Sequence, residues 1–146
     1  MKPFNIFIVL SLIVIFGGFV FFRDGFNKIQ SKPSEESELR MDMLSYLDYS
    51  DVTLANAQKK GKSVLFFATK WCQTCSELEK EIIERNTEIP KDVTIIKVDY
   101  DNDKVMNRKY GVTSQHTLIV LDQNGKELKR WVGGGFDTLL QQIEEI

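Results

Sequence analysis

Cys72 and Cys75 are the chain's two cysteines, and two residues stand between them in the segment W-C-Q-T-C. A continuous apolar run at 63–68 precedes them, and apolar residues at helical spacing follow, which predicts a strand-to-helix junction at the pair. In the first turn of a helix, free backbone N–H groups and the positive dipole end favour the thiolate of Cys72. Cys75 would lie on the same helical face, near enough to close a disulfide. The spacing predicts a redox-active dithiol in which Cys72 exchanges and Cys75 resolves the mixed disulfide.

Two other interpretations of the cysteine pair stay open. A purely structural disulfide would remove little entropy from the unfolded chain, because the loop it closes is very short. A zinc site usually takes four ligands, whereas the chain offers two cysteines and one histidine, His116, unless a dimer completes the set. No phosphate-binding glycine loop, serine triad or nucleotide fingerprint is present. We therefore predict no cofactor and no resident metal.

The segments that must position the cysteines alternate between helical and strand patterns. Ser50 or Asp51 can cap the first helix and Gly61 can end it, while Asn124-Gly125 is a strong hairpin signal. The predicted helices are 51–60, 76–85, 102–110 and 136–146, and the predicted strands are 63–68, 93–98, 117–121 and 126–132. The order is helix, strand, helix, strand, helix, strand, strand, helix, without an internal repeat.

Three blocks of this pattern carry a family resemblance. They are F-F-A-T-K-W-C-Q-T-C at 66–75, K-V-D-Y-D at 97–101 and Y-G-V-T-S-Q-H-T at 110–117. In these blocks the sequence resembles the thioredoxin family, and the resemblance covers roughly residues 46–146. It implies an α/β fold, a thioredoxin-like three-layer sandwich with a central mixed sheet of about four strands. It also implies a thiol-disulfide oxidoreductase whose partners are protein thiols or disulfides and a redox partner.

The resemblance further implies roles for residues around the dithiol. Trp71 matches the family's lid beside the active site, and the loop before the third predicted strand matches its substrate-presenting loop. The residues expected to bind substrate or tune the dithiol are Trp71, Gln73, Thr74, Gln115, His116 and Thr117. The pair Gln73-Thr74 matches neither reducing nor strongly oxidising members, so the redox direction is open.

Two departures from the family pattern affect the site. His116 replaces the family's cis-proline, and because a non-proline cis bond costs about 2.5–4 kcal/mol, we expect Gln115–His116 to be trans. Beside Cys72, the imidazolium form of His116 would stabilise the thiolate, and the neutral form would accept a proton. Phe66 stands where the family usually has a buried acid, so Lys97 lacks its expected acidic partner and is expected to face solvent or to tune the dithiol.

The first fifth of the chain differs in composition from the rest. Residues 4–22 carry no charge, a length that can cross a hydrocarbon core of about 30 Å, and they lack the small-residue end of a cleaved signal peptide. We predict a membrane anchor at 1–23, a polar linker at 24–40 and a thioredoxin-like domain at 41–146. Arg23, Lys28 and Lys32 would by charge count hold the domain in the cytoplasm. The short N-terminal tail and the resemblance to membrane-tethered relatives favour an outward-facing domain.

The charge balance excludes one class of partner. With 19 basic and 21 acidic residues the formal net charge is -2, and no basic stripe is present to neutralise phosphates. We therefore predict no nucleic acid partner. The sequence as a whole predicts a membrane-anchored thiol-disulfide oxidoreductase acting on proteins. The alternative is a thioredoxin-like binding module whose C-x-x-C and His116 loop form a partner or metal site.

Overall fold

The computed structural model describes residues 45–146. The predicted anchor at 1–23, the predicted linker at 24–40 and the first residues of the predicted domain at 41–146 lie outside the described residues. Within residues 45–146, no helix is long and apolar enough to cross a bilayer.

Four helices and five strands alternate along the described residues, close to the predicted order. Ser50 caps the first helix by accepting a hydrogen bond from the Thr53 N–H at 3.0 Å. A short 3-10 helix, Asn86–Glu88, follows the second helix. The helices are α1 Asp51–Lys60, α2 Gln73–Glu84, α3 Lys104–Lys109 and α4 Phe136–Glu144. The strands are β1 Tyr46–Asp48, β2 Lys62–Ala68, β3 Val93–Asp99, β4 Thr117–Leu121 and β5 Glu127–Val132.

The sheet is mixed and has five strands in the order β1-β3-β2-β4-β5. The prediction of about four strands was therefore one strand short. The missing strand, β1, has three residues and pairs in parallel with β3, so it is too short to show an alternating pattern in the sequence. β2 is parallel to β3 and antiparallel to β4, which places the end of β2 at the centre of the sheet.

Alternation along β2 divides the core into two layers. Phe66 packs with Leu78 of α2 and Phe136 of α4 on one face of the sheet. Leu65 packs with Leu54 of α1 and Met106 of α3 on the other face. Because successive strand side chains point to opposite faces, a continuous apolar run is required to fill both layers. The three-layer arrangement implied by the family resemblance is confirmed.

The start of α4 fixes a backbone segment that borders the cysteines. Gly133 and Gly134 have φ angles of 78° and 92°, in the left-handed region that glycine adopts without strain. Gly135 offers no side chain to cap α4, and the Glu81 carboxylate of α2 instead accepts a hydrogen bond from the Phe136 N–H at 3.0 Å. This contact ties the glycine segment to the helix that carries the cysteines.

Candidate active site

The junction of β2 and α2 positions the cysteine pair as the sequence predicts. Cys72 is the N-cap of α2, and its Sγ accepts a hydrogen bond from the Cys75 N–H at 3.2 Å. The two residues are joined by a disulfide, with their Cα atoms 5.2 Å apart. Cys72 is 7% exposed and Cys75 only 1% exposed. A thiolate at Cys72 would thus meet both a backbone donor and the positive end of the helix dipole.

His116 reaches the cysteines through an unusual backbone conformation. Its φ is 58°, and no other non-glycine residue among residues 45–146 has a positive φ. Its N–H donates to the Phe67 carbonyl at 2.7 Å, and its own carbonyl accepts from the Gly133 N–H at 2.8 Å. The described residues contain no cis peptide bond, so the expectation that Gln115–His116 is trans is confirmed. The loop keeps strand-like hydrogen bonds on both sides while it turns the imidazole inward.

A chain of side-chain contacts links His116 to Cys72. The Thr74 Oγ1 lies 2.9 Å from the His116 Nδ1 and 3.4 Å from the Cys72 Sγ. The Nε2 of His116 lies 3.1 Å from the Gly134 carbonyl oxygen. His116 is 5% exposed, whereas Thr74 lies on the solvent side of α2. The hydroxyl of Thr74 thus bridges the sulfur and the imidazole.

These contacts assign the tautomer of the neutral imidazole. A carbonyl oxygen only accepts hydrogen bonds, so Nε2 carries the proton and donates it to Gly134. Nδ1 is then an acceptor, and the Thr74 hydroxyl donates its hydrogen to it. The lone pairs of Thr74 Oγ1 then face the Cys72 Sγ.

Burial and one hydrogen bond act in opposite directions on the pKa of His116. Burial, the larger effect, lowers the pKa below its ordinary value of 6.5, because the charged imidazolium loses hydration. The Gly134 carbonyl opposes this effect. The ring also meets the edge of Phe66, with centroids 5.5 Å apart and an interplanar angle of 61°. His116 is therefore neutral near pH 7 and available as an acceptor.

The other residues predicted to bind substrate or tune the dithiol are distributed differently. Trp71 is 65% exposed and its indole N–H donates to Asp101 at 2.9 Å. Gln73 turns along α2 to donate to Glu77. Gln115 is half-buried directly before His116. The Thr117 hydroxyl donates to the Ser114 carbonyl at 2.7 Å. Gln73 and Thr117 thus make their side-chain hydrogen bonds away from the sulfurs, while Thr74 and His116 meet them.

Cys72, Cys75 and His116 each bring one donor atom within 4.8 Å of the others. In this oxidised form the two sulfurs are bonded to each other and the Nδ1 is bonded to Thr74. A closed zinc site takes four protein ligands, one more than this trio supplies.

The structure also supplies the acidic partner that the sequence could not place for Lys97. Its Nζ lies 2.6 Å and 2.8 Å from the two carboxylate oxygens of Glu79, and the Tyr46 hydroxyl donates to the same carboxylate at 3.0 Å. The expectation that Lys97 faces solvent is thus corrected, because Lys97 is half-buried in an ion pair with α2. The expectation that it tunes the dithiol stays a prediction. Glu79 stands four residues after Cys75, which is the spacing of one helical face. This spacing was the signal in the sequence that could have identified Glu79 as the acidic partner of Lys97. The contact of His116 with the Gly134 carbonyl could not be predicted in this way, because every residue has a backbone carbonyl whatever its type.

Comparison with known proteins gives a consistent result. The family model described as Thioredoxin matches residues 49–145. The chain is 34% identical over 97 residues to a thioredoxin of Chlamydia trachomatis, covering 66% of this chain and 93% of that protein. It is 33% identical over 100 residues to a thioredoxin of Mycobacterium bovis, covering 68% and 84% respectively.

Among solved structures, the chain is similar to Fasciola hepatica thioredoxin, with 30% identity and a TM-score of 0.56. That match covers 64% of this chain and 88% of the other. Both kinds of comparison therefore cover most of the described domain and 84–93% of the three relatives named here.

Proposed function

Because this chain belongs to the thioredoxin family, we propose that it is a membrane-anchored enzyme that exchanges disulfides with proteins by attack of Cys72 and resolution by Cys75. The chain is a thioredoxin-like thiol-disulfide oxidoreductase with a C-x-x-C dithiol. The membrane anchor, the separate roles of the two cysteines and the neighbouring site residues are the proposed part. The observation that carries the proposal is the Cys72–Cys75 disulfide at the start of α2.

The two cysteines differ in ways that support different roles. Cys72 is the more exposed residue and its sulfur accepts a hydrogen bond from the Cys75 N–H, which favours its thiolate as the attacking group. Cys75 is enclosed and lies one helical turn away, with its sulfur bonded to that of Cys72, which suits it to attack a disulfide formed at Cys72. This asymmetry supports attack by Cys72 and resolution by Cys75.

Exchange in the reducing direction balances as follows. The Cys72 thiolate attacks a protein disulfide, a Cys72–substrate disulfide forms, and one substrate thiolate leaves. The Cys75 thiolate then attacks the Cys72 sulfur, the Cys72–Cys75 disulfide forms, and the second substrate thiolate leaves. Two protons from the dithiol end on the two substrate thiols. Every step is reversible, so the same residues serve oxidation of a substrate dithiol.

Reduction of insulin disulfides by the full chain tests the proposed exchange. We expect turnover with dithiothreitol as electron donor in the wild type, and loss of turnover in Cys72→Ser and in Cys75→Ser, because each change removes one sulfur of the disulfide product. Wild-type turnover no higher than that of Cys72→Ser would overturn the oxidoreductase assignment of these residues.

The location of the domain has its own test. The uncharged segment 4–22 supports an anchor, and an outward-facing domain is the orientation that we propose. We expect the full chain to sediment with membranes after alkaline extraction, and a reporter fused after Ile146 to be active only outside the cytoplasm. Release of the chain by alkali would contradict the anchor. Reporter activity inside the cytoplasm would contradict the proposed orientation of the domain.

The alternative is a binding module in which Cys72, Cys75 and His116 hold a partner or a metal without turnover. The short distances among their donor atoms favour it as the second candidate. It predicts zinc or copper bound stoichiometrically to the reduced chain, and insulin reduction no faster than with Cys72→Ser. Turnover in a chain free of both metals supports the enzyme instead.

A further inference from the structure

We propose that Thr74 and His116 form a proton relay that removes the proton of Cys72, with the Thr74 hydroxyl passing it to the His116 Nδ1. The proposal rests on the proposed exchange at Cys72, and it assigns the base that generates the attacking thiolate. Thr74 contacts the reacting sulfur, and His116 acts through Thr74 as a positioning residue and terminal acceptor.

The direction of the relay follows from the hydrogen bonds. Nε2 is committed as a donor to Gly134, so Nδ1 is the free acceptor of the neutral ring and the Thr74 hydroxyl donates to it. In the reduced protein a Cys72 S–H would donate to the same hydroxyl oxygen, which already lies 3.4 Å from the sulfur. Each group in the chain then donates toward His116.

The transfer conserves every proton. The Cys72 S–H bond breaks and its proton bonds to Thr74 Oγ1, while the original hydroxyl proton of Thr74 bonds to Nδ1. Thr74 is again a neutral hydroxyl, Cys72 is a thiolate, and His116 is an imidazolium that still donates from Nε2 to Gly134. When the first substrate thiolate leaves, the imidazolium proton returns by the same route and neutralises it.

The surroundings of His116 leave no competing proton acceptor in direct contact among the described residues. The face of β2 presents the Phe66 ring, and residues 133–135 present only backbone. The titratable groups near the ring are the two cysteines and, across an open cavity of about 370 Å³, Glu77 and Glu81 of α2. Glu77 accepts from Gln73, and Glu81 accepts from the Phe136 N–H. Both carboxylates are thus engaged, and the cavity gives solvent access for proton exchange.

The test is the pH profile of Cys72 alkylation by iodoacetamide in the reduced full chain, with the modified cysteine identified by mass spectrometry. Thr74→Val keeps the shape of the side chain and removes the hydroxyl. His116→Asn keeps a polar residue that tolerates the left-handed backbone but cannot take up a proton. We expect each change to raise the apparent pKa of Cys72 by about one unit, a roughly tenfold slower alkylation below that pKa.

Two comparisons separate a relay from unrelated structural effects. Thr74→Ser retains a hydroxyl and should restore the wild-type profile, whereas a packing role of the Thr74 methyl group would not be restored. The double variant Thr74→Val/His116→Asn should match either single variant, because both interrupt one path. Additive shifts in the double variant would overturn the relay.

A second readout follows the imidazole directly. In the reduced chain the ¹⁵N shift of Nδ1 should report protonation over the pH range in which the Cys72 thiolate forms, because the two titrations are coupled. In the oxidised chain that coupled step should be missing. Unchanged alkylation profiles in both single variants, with insulin reduction intact, would refute the relay and leave the proposed function standing. Insulin reduction by the wild type no faster than by Cys72→Ser would instead refute the proposed function.

Discussion

At the scale of single residues, the conformation of His116 sets the geometry of the site. An L-residue in the left-handed region costs about 1–2 kcal/mol, and His116 sits there with a φ of 58°. Two backbone hydrogen bonds, to the Phe67 carbonyl and from the Gly133 N–H, hold the residue in this conformation. The local cost is what brings Nδ1 within reach of Thr74.

Replacing His116 by glycine or by alanine separates the backbone from the ring. Both variants lose the ring contacts equally, but only alanine keeps a Cβ at positive φ. We expect His116→Gly to be more stable than His116→Ala by about 0.5–1 kcal/mol, after allowing for the greater freedom of glycine in the unfolded chain. Urea unfolding of the oxidised proteins measures the difference. Equal stability, or a more stable alanine variant, would show that the backbone is not strained.

The lowered pKa of His116 predicts a loss of stability on acidification. Well above the ordinary pKa of 6.5 both folded and unfolded states hold a neutral ring, so this residue adds no pH dependence there. As the pH falls through 6.5, the unfolded chain takes up a proton that the buried ring refuses until its own lower pKa is reached. The free energy of unfolding of the oxidised protein should therefore fall between about pH 7.5 and pH 5.5.

His116→Asn is the control for that pH dependence. It keeps the carboxylates and lysines of the wild type, so the difference between the two proteins isolates the imidazole. We expect the wild type to lose more stability over this interval than the variant. Equal losses would show that the pKa of His116 is not lowered by folding.

At the scale of elements, the turn between α1 and β2 depends on the absence of one side chain. A Cβ on Gly61 would lie 2.1 Å from the carbonyl oxygen of Asp92, a backbone atom that cannot move alone. We expect Gly61→Ala to lower the free energy of unfolding by about 1–3 kcal/mol, the range for overpacking. Thermal and urea unfolding of the oxidised protein provide the measurement.

Gly111 provides the matched control. It has a φ of 61°, and a Cβ added there would meet no described atom within 4 Å, so Gly111→Asn should cost much less than Gly61→Ala. The reverse order would mean that backbone conformation, and not the contact with Asp92, decides tolerance at these turns.

The elements also show what the sequence could predict. The continuous apolar run predicted β2 because a central strand must fill both layers, and the hairpin between β4 and β5 followed from Asn124-Gly125. β1 escaped prediction because three residues show no period. α2 begins at Gln73, three residues before the predicted range 76–85, because the apolar spacing defined that range and Cys72 itself caps the helix, close to its predicted first-turn position.

The active site was predictable only in part for a related reason. The spacing of Cys72 and Cys75 is local, so their pairing could be predicted, and register placed His116 near them. The bridge through Thr74 depends on a positive φ at His116 and on the Gly134 carbonyl. Neither is encoded in side-chain type or in short-range periodicity, so both required the tertiary structure.

At the scale of the whole molecule, the fold brings three separate stretches of chain together around the Cys72 sulfur. The junction of β2 and α2 supplies Cys72 and Thr74, the loop before β4 supplies His116, and the segment before α4 supplies Gly134. The enclosed Cys75 limits the exposed chemistry to one thiol. A substrate protein would thus meet Cys72 first, and the bond formed there would be released from within the domain.

Trapping of the mixed disulfide tests this central claim most directly. The reduced Cys75→Ser and Cys72→Ser full chains are each incubated with a disulfide-bonded peptide and analysed by mass spectrometry without reductant. We predict that Cys75→Ser accumulates a peptide joined to Cys72, because the resolving thiol is missing, and that Cys72→Ser accumulates little. Equal or greater trapping on Cys75 in the Cys72→Ser chain would contradict the account.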